Sequence, residues 1–464
     1  MLDDILDHME HLRERPVWQP IPPAIRAQFR EPLPAAPAAL ADLHHTFMQD
    51  ILPYSIGNAH PGFMGWVQGG GTAVGMLADM LAAGLNSNVG GREQIPVEVE
   101  RQITRWMREL FRFPEDASGL FVTGTSLANM IAVLVARTGA LGTDVRQHGI
   151  ADGGGRLVAY ASRAAHGCVA QAMDLSGLGT GALREIDTDA AGRLDMQVLR
   201  AAIEADRRAG RQPFMIVGTA GSVDTGAIDD LAAIADLAQQ ENLWFHIDGA
   251  YGALGMLAAD VAPRLTGIER ADSIAFDFHK WLQVPYDAGF ILVRDGTLHH
   301  DTFASPAAYL SREERGMAAN SPWPCDFGPD LSRGFRALKT WFTIKAYGTE
   351  KLGRMIGNTC ALARHLEARI EAEPALELLA PVSLNIVCFG YRCADPDRVN
   401  GEIVVALQES GIAAPSTTTV DGRLVIRVAI VNHRTTTDDI DAMLDAALRF
   451  GHAIVHPAET RKAL

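Results

Sequence analysis

Three things are scarce in this 464-residue chain: cysteine, positive charge and long apolar runs. Cysteine occurs five times, as Cys168, Cys325, Cys360, Cys388 and Cys393, an odd number with no CxxC pair. That usage argues against a disulfide framework or a zinc knuckle and suits reduced thiols in a cytoplasmic protein. Lys and Arg number 41 against 56 Asp and Glu, a formal net charge of −15 with no basic cluster to interrupt it. Such a chain repels phosphate backbones and anionic lipid surfaces, so neither nucleic acid nor a membrane is an expected partner. No window approaches the ~18 uninterrupted apolar residues of a membrane span. The best of them, around Met76 to Leu85, contains Asp79. The N-terminus, MLDDILDHMEHLRERPVW, carries acids where a secretory signal carries a basic region, and reads as a short amphipathic helix.

What is present is the composition of a globular enzyme, 48% hydrophobic and 21% charged. The length suits roughly two or three structural units with a large core. Residues 20–39 are rich in Pro and Ala and are expected as an extended connector. From about residue 70, short apolar runs recur, each followed by a Gly, Ser, Asp or Thr turn and a helical pattern, the rhythm of a parallel sheet. Strands are expected at 120–122, 157–160, 214–218, 244–247 and 273–276. The run Gly289 to Val293 follows too soon for a helical crossover, which marks an antiparallel member or a sheet edge. A helix from Asp229, as its cap, to Gln240 lines up Leu231, Ile234, Ala235 and Leu237 as an apolar stripe. A long amphipathic stretch from Leu331 to about Glu373 leads into strand-like segments at 383–389 and 424–429 and a final helix from Thr437 to Phe450. The expected organisation is an N-terminal helical arm and connector over 1–50, a large α/β domain over 51–345 and a small α+β domain over 346–464.

Four segments fall where strands of a parallel sheet end, the place where open α/β sheets bind ligands. In FVTGTSLANM, Gly124, Thr125 and Ser126 open a helix whose free amides suit a phosphate, although a plain strand–turn–helix has the same pattern. The segment has neither the Lys of a P-loop nor a GxSxG elbow. In WFHIDGAYG, Asp248 lies just past an apolar strand, where a carboxylate needs a cation or backbone donors unless it caps the next turn. In FDFHKWL, Lys280 stands between His279 and Trp281. An apolar setting lowers a lysine's pKa and favours Schiff-base chemistry; a solvated loop lysine is the alternative. In SRAAHGCVAQ, His166 follows a strand and is either an ordinary histidine or one that stacks on a flat ring or moves a proton. No metal site is read. Joined, an anion cradle, an acid, a lysine and a ring-facing histidine describe a pocket for pyridoxal 5′-phosphate. Lys280 would hold its aldehyde, Asp248 would keep the pyridine nitrogen protonated, and Gly124, Thr125, Ser126 and His279 would hold the phosphate.

The order TGTSLANM, AAHGC, GTAGSVDTGAIDD, HIDGAYG, DFHKWLQVPYD and VIRVAIVNHRTTTDDID resembles the group II pyridoxal-dependent decarboxylases over nearly the whole chain. That family includes the aromatic-L-amino-acid, histidine and glutamate decarboxylases. The resemblance implies fold type I, a mainly parallel central sheet flanked by helices with a smaller C-terminal α+β domain. It implies Lys280 as the Schiff-base lysine, Asp248 as the pyridinium partner and His166 as the stacking histidine. Ser222 sits where the family has a threonine near the cofactor's 3′-oxygen, Ala250 lies on the other ring face, and His279 lies beside the phosphate. Asp277 stands where animal members have Asn. Tyr309, in AAYLSREERG, matches a mobile-loop tyrosine that protonates the carbon left after carbon dioxide departs. Relatives with Phe in its place shift toward aldehyde, so Tyr309 points to amine. Arg333 and Arg336 resemble family arginines near the site, with a solvated helix face expected for at least one.

The segment HPGFMGWVQGGGT offers Phe63 and Trp66 to a phenyl or indole ring, unless they are core aromatics, and carries no basic group for a distal carboxylate. The expected reaction is decarboxylation of an L-amino acid, preferably aromatic, in a homodimer across which the arm wraps. An aldehyde synthase or an aminotransferase on the same fold is the alternative, the latter using Arg427 for the α-carboxylate. A non-catalytic PLP-binding scaffold is the alternative from another class.

Overall fold

The structure is a computed structural model and describes residues 1–151, 153–304 and 313–457. It divides into two compact units, Val74–Asn358 and Met1–Ala73 joined with Thr359–Leu464. Residues 51–73, expected in the large domain, thus belong with the C-terminal segment, and residues 346–358 with the large unit. Strand pairing gives the reason for the first shift, because Phe63 and Met64 pair in parallel with Ala414 and Pro415.

The strands are β1 Phe63–Met64, β2 Ser118–Val122, β3 Leu157–Ser162, β4 Leu183–Ile186, β5 Gln212–Thr219, β6 Trp244–Asp248, β7 Ser273–Asp277, β8 Gly289–Val293, β9 Leu376–Leu378, β10 Ile386–Tyr391, β11 Ala414–Val420 and β12 Arg423–Ala429. In the large unit they form one seven-stranded sheet in the order β2-β8-β7-β6-β5-β3-β4. Its neighbours are parallel except for β8, which runs antiparallel to both β7 and β2. The early return expected at Gly289 is therefore an internal antiparallel member and not an edge. Every residue of β3, β7 and β8 is buried, which is why these strands read as unbroken apolar runs and not as alternating ones. The helix Thr125–Leu141 supplies Ala128, Ile131, Ala132 and Val135 to a core shared with Leu120, Val217, Ala275 and Ile291.

The helix expected from Asp229 is Leu231–Glu241, and its cap is Asp230, which accepts from Ala233 N at 3.0 Å. Asp229 is buried instead, accepting from Leu194 N at 2.7 Å and Thr219 N at 2.8 Å. Burial pushes its carboxyl up to about 6, against the pull of those two bonds.

The smaller unit holds the sheet β1-β11-β12-β10-β9, with Phe389, Ile403, Ile426, Val428 and Leu444 in its core. Its last helix, Thr437–Val455, opens on a capping box between Thr436 and Asp439. The N-terminal arm is helical over Leu2–Glu10, and the connector carries a further short helix, Pro23–Gln28. Within its own unit the arm is tied down by Arg13, which pairs with Asp439 at 2.6 Å, and by Val17 N, which donates to Gly411 O. The long stretch after Leu331 is helical over Arg336–Glu371, broken at Gly348, whose φ is +69°. No described helix is long and apolar enough to cross a membrane.

Candidate active site

The carboxyl ends of β2, β7, β6, β5 and β3 share one edge of the large sheet. Register shows how tightly: Val122 of β2 and Asp277 of β7 both pair with Gly289 of β8. A Cβ at Gly289 would stand 2.4 Å from Gly124 Cα, so only glycine lets the turn after β2 cross there. That turn delivers Gly124 as the cap of the helix Thr125–Leu141.

Asp277 gathers the cationic side of the site. Its Oδ1 accepts the Thr125 amide at 2.8 Å, and its Oδ2 lies 3.0 Å from Lys280 Nζ. Lys280 is therefore not a freely solvated loop lysine; it is 22% exposed and held by a carboxylate three residues back. His279 is buried, accepts from Ala288 N at Nδ1, and sets Nε2 3.7 Å from Asp277 Oδ2. Its ring lies 4.2 Å from that of Tyr286. Burial holds this imidazole below its ordinary range, with Asp277 opposing.

Asp248, at the end of β6 and 4% exposed, answers the need for donors with amides and not with a direct cation. Oδ2 accepts from Asn129 Nδ2 at 3.0 Å, and Oδ1 from the Ala250 amide at 3.1 Å. The Ala250 carbonyl in turn accepts from Asp277 N at 2.9 Å, so a short bonded path joins Asp248 to the carboxylate that holds Lys280. Cys168 Sγ lies 4.0 Å from Asp248 Oδ2. Burial, and then Asp248, push that thiol up to about 12 while Lys280 pulls it down, so both charges act on one sulfur. A thiol so protonated is no nucleophile.

His166 is exposed after β3, with Nδ1 accepting the Cys168 amide at 3.2 Å. Ser222 is buried, and its hydroxyl closes its own turn, bonding Thr225 Oγ1 at 3.0 Å and the Ala227 amide at 3.1 Å. Phe63 and Trp66 lie in the other unit. Phe63 is buried with Val17 and Ala414, the core-aromatic alternative, whereas Trp66 is half exposed, 6.3 Å from it ring to ring. Arg427, also in that unit, donates to Ser416 Oγ at 3.0 Å. Tyr309 lies outside the described residues.

Arg333 is buried, not on a solvated face. It forks onto Glu100 at 2.6 and 3.0 Å and donates to the carbonyls of Val89 and Phe121. Arg336 is partly buried and pairs with Asp287 at 2.8 Å. Sequence reasoning passed over Asn129, whose one signal is a polar side chain a helical turn after Thr125 in an otherwise apolar run.

These residues fit pyridoxal 5′-phosphate. Thr125 Oγ1 is buried without a hydrogen-bond partner, the orphan a phosphate oxygen would satisfy. Ser126 is exposed beside it at the helix start, and a Cβ built on Gly124 would meet nothing nearer than 3.8 Å. Asp248 offers an anion, and Lys280 a primary amine. Among the described residues no group of three or more His, Cys, Asp or Glu is arranged to hold a metal ion.

Comparison with known proteins agrees. Residues 22–392 match the pyridoxal-dependent decarboxylase conserved domain. An aromatic-L-amino-acid decarboxylase of Bacillus atrophaeus is 33% identical over 452 residues, covering 95% of this chain and 91% of that protein. An L-2,4-diaminobutyrate decarboxylase of Rhizobium meliloti is 32% identical over 422 residues, covering 90% and 83%. Among solved structures, Oryza sativa TDC with PLP and tryptamine shares the fold at a TM-score of 0.89 and 24% identity, covering 98% of this chain and 96% of that one. The fold is that of the fold type I PLP enzymes, and with a family match spanning most of its length the chain belongs to the pyridoxal-dependent decarboxylases.

Proposed function

We propose that this PLP-dependent amino-acid decarboxylase acts on aromatic L-amino acids, releasing the amine and carbon dioxide. The observation that carries the catalytic part is the bonded path from Asp248 through Ala250 and Asp277 to Lys280. The aromatic preference is supported by the relative from Bacillus atrophaeus, named for aromatic amino acids. It is supported also by Trp66, half exposed in a segment, residues 60–71, that carries no Lys or Arg. A homodimer in the cytoplasm belongs to the same proposal.

When bound, pyridoxal 5′-phosphate supplies an electron sink for the bond between Cα and the carboxylate. The chain's own residues do the rest. Lys280 would supply the primary amine that holds the cofactor's aldehyde, and Asp277 Oδ2, 3.0 Å away, orients its Nζ. Asp248, its carboxylate held by Asn129 and the Ala250 amide, would pair with the pyridine nitrogen. The Thr125 and Ser126 hydroxyls, at the positive end of a 17-residue helix, would hold the phosphate. His166 would pack on the cofactor ring. Tyr309 would supply the proton that replaces carbon dioxide at Cα.

The test is turnover on a panel containing L-tryptophan, L-tyrosine, L-phenylalanine, L-histidine, L-glutamate and L-2,4-diaminobutyrate, with carbon dioxide and amine measured together and Lys280→Ala as the blank. Stoichiometric gas and amine from the aromatic members are expected. Turnover confined to diaminobutyrate or histidine would overturn the substrate class, and a keto acid product would overturn decarboxylation.

A further inference from the structure

Behind Asp248 runs a directed chain of hydrogen bonds, buried from Ser273 inward. Trp244 Nε1 donates to Ser273 Oγ at 2.9 Å, and Ser273 Oγ lies 2.8 Å from His246 Nδ1. His246 Nε2 lies 2.8 Å from Asn129 Oδ1, and Asn129 Nδ2 donates to Asp248 Oδ2 at 3.0 Å. An amide oxygen only accepts, so Nε2 of His246 carries the proton and Nδ1 of the neutral ring takes the serine hydroxyl. The ring is fully buried, and burial brings it down to about 3, which keeps it neutral. Each link then has one permitted direction. Turning the Asn129 amide over would set its oxygen against the carboxylate and its NH2 against the His246 N–H, two repulsions in place of two bonds.

The fold builds this chain from rigid parts. His246 and Asp248 are two apart on β6 and so share a face, while His246 pairs in register with Ser273 of β7. Asn129 is 1% exposed, His246 1% and Ser273 0%, so water does not compete for these bonds. None of the three side chains is needed for the chemistry assigned above.

We propose that Asn129 is a positioning residue for Asp248, its carboxamide held in one orientation by His246, and that the pair fixes the carboxylate in the plane the cofactor's pyridine nitrogen requires. The inference rests on Asp248 as the pyridine partner.

A hydrogen bond to a charged group is worth about ten- to a hundredfold in an equilibrium constant. The experiment measures the PLP dissociation constant by titration of the apoenzyme, the visible absorption of the holoenzyme, and kcat and KM separately. Asn129→Ala should raise the PLP dissociation constant about tenfold, weaken the visible band, and lower kcat with KM nearly unchanged. His246→Ala should do the same in smaller measure, and His246→Gln, whose amide N–H replaces Nε2–H, should recover most of that loss. Asp248→Asn is the reference. If it leaves cofactor affinity and absorption at wild-type values, the reading of Asp248 itself fails. If it shifts them while Asn129→Ala and His246→Ala do not, the positioning role is overturned and Asp248 stands. Should Asn129→Ala not fold, the contrast between His246→Ala and His246→Gln decides.

Discussion

Replacing Arg333 by methionine removes four hydrogen bonds from a site where no water can replace them. Its guanidinium forks onto both oxygens of Glu100 and donates to the carbonyls of Val89 and Phe121, and both charged side chains are almost completely buried. Glu100 Oε1 also accepts the Phe121 amide, so Arg333 and Glu100 together hold both backbone groups of a residue three positions before Gly124. In Arg333→Met the Glu100 carboxylate keeps that amide and loses its counter-charge. Breaking a buried pair from one side costs about 3–5 kcal/mol. For a unit of this size that is a fall of roughly 5–8 °C in Tm. The assay is thermal unfolding of the holoenzyme, followed by circular dichroism, for Arg333→Met, Glu100→Leu and the double variant. The double variant should recover part of the loss, because it leaves no isolated charge. A single variant melting within about 2 °C of wild type, or a double variant whose losses simply add, would refute the reasoning.

Acid should weaken the large unit through its buried histidines. His299 is fully buried, and burial brings its imidazole down to about 3 from the 6.5 of an unfolded chain. Between those values the unfolded chain binds a proton that the folded one refuses, so stability falls as pH drops from about 6.5 toward 3. His246 acts with the same sign, while Asp229, raised from 3.8 to about 6, acts with the opposite sign across its own window. His299→Asn, which keeps an amide group for the Ser118 hydroxyl that now lies 2.7 Å from Nδ1, should lose less Tm than wild type between pH 7 and pH 5. Equal slopes would remove His299 from the acid response. Tyr309→Phe should retain cofactor binding and divert product from amine toward aldehyde, read by chromatography; an unchanged amine yield takes Tyr309 out of the proton return.

Much of the site was legible because strand ends announce themselves. An apolar run that stops at a polar residue marks the carboxyl edge of a parallel strand, and Asp248, Lys280, His166 and Gly124 all follow such a run. Covering a sheet on both faces requires that pattern, so composition along a few residues is enough to reveal it. Which of two adjacent carboxylates caps a helix is decided otherwise. Asp230 takes the cap, and Asp229 turns inward because the amides of Leu194 and Thr219, from distant segments, reach it first.

The amino-acid order by itself determined the kind of sheet, the early return at Gly289 as either an antiparallel member or an edge, and the residue types standing at the strand ends, since all three follow from the local succession of apolar and turn-forming residues. Only the tertiary structure decided who meets whom. Lys280 faces Asp277, Asp248 takes its donors from Asn129 and Ala250, Arg333 sits inside on Glu100, and Phe63 joins β11 in the other unit. Hydrogen bonds and ion pairs such as Asn129 to Asp248 and Arg333 to Glu100 form between groups brought to 3.0 and 2.6 Å by strand register and helix packing, and neither of those distances is a function of separation along the chain.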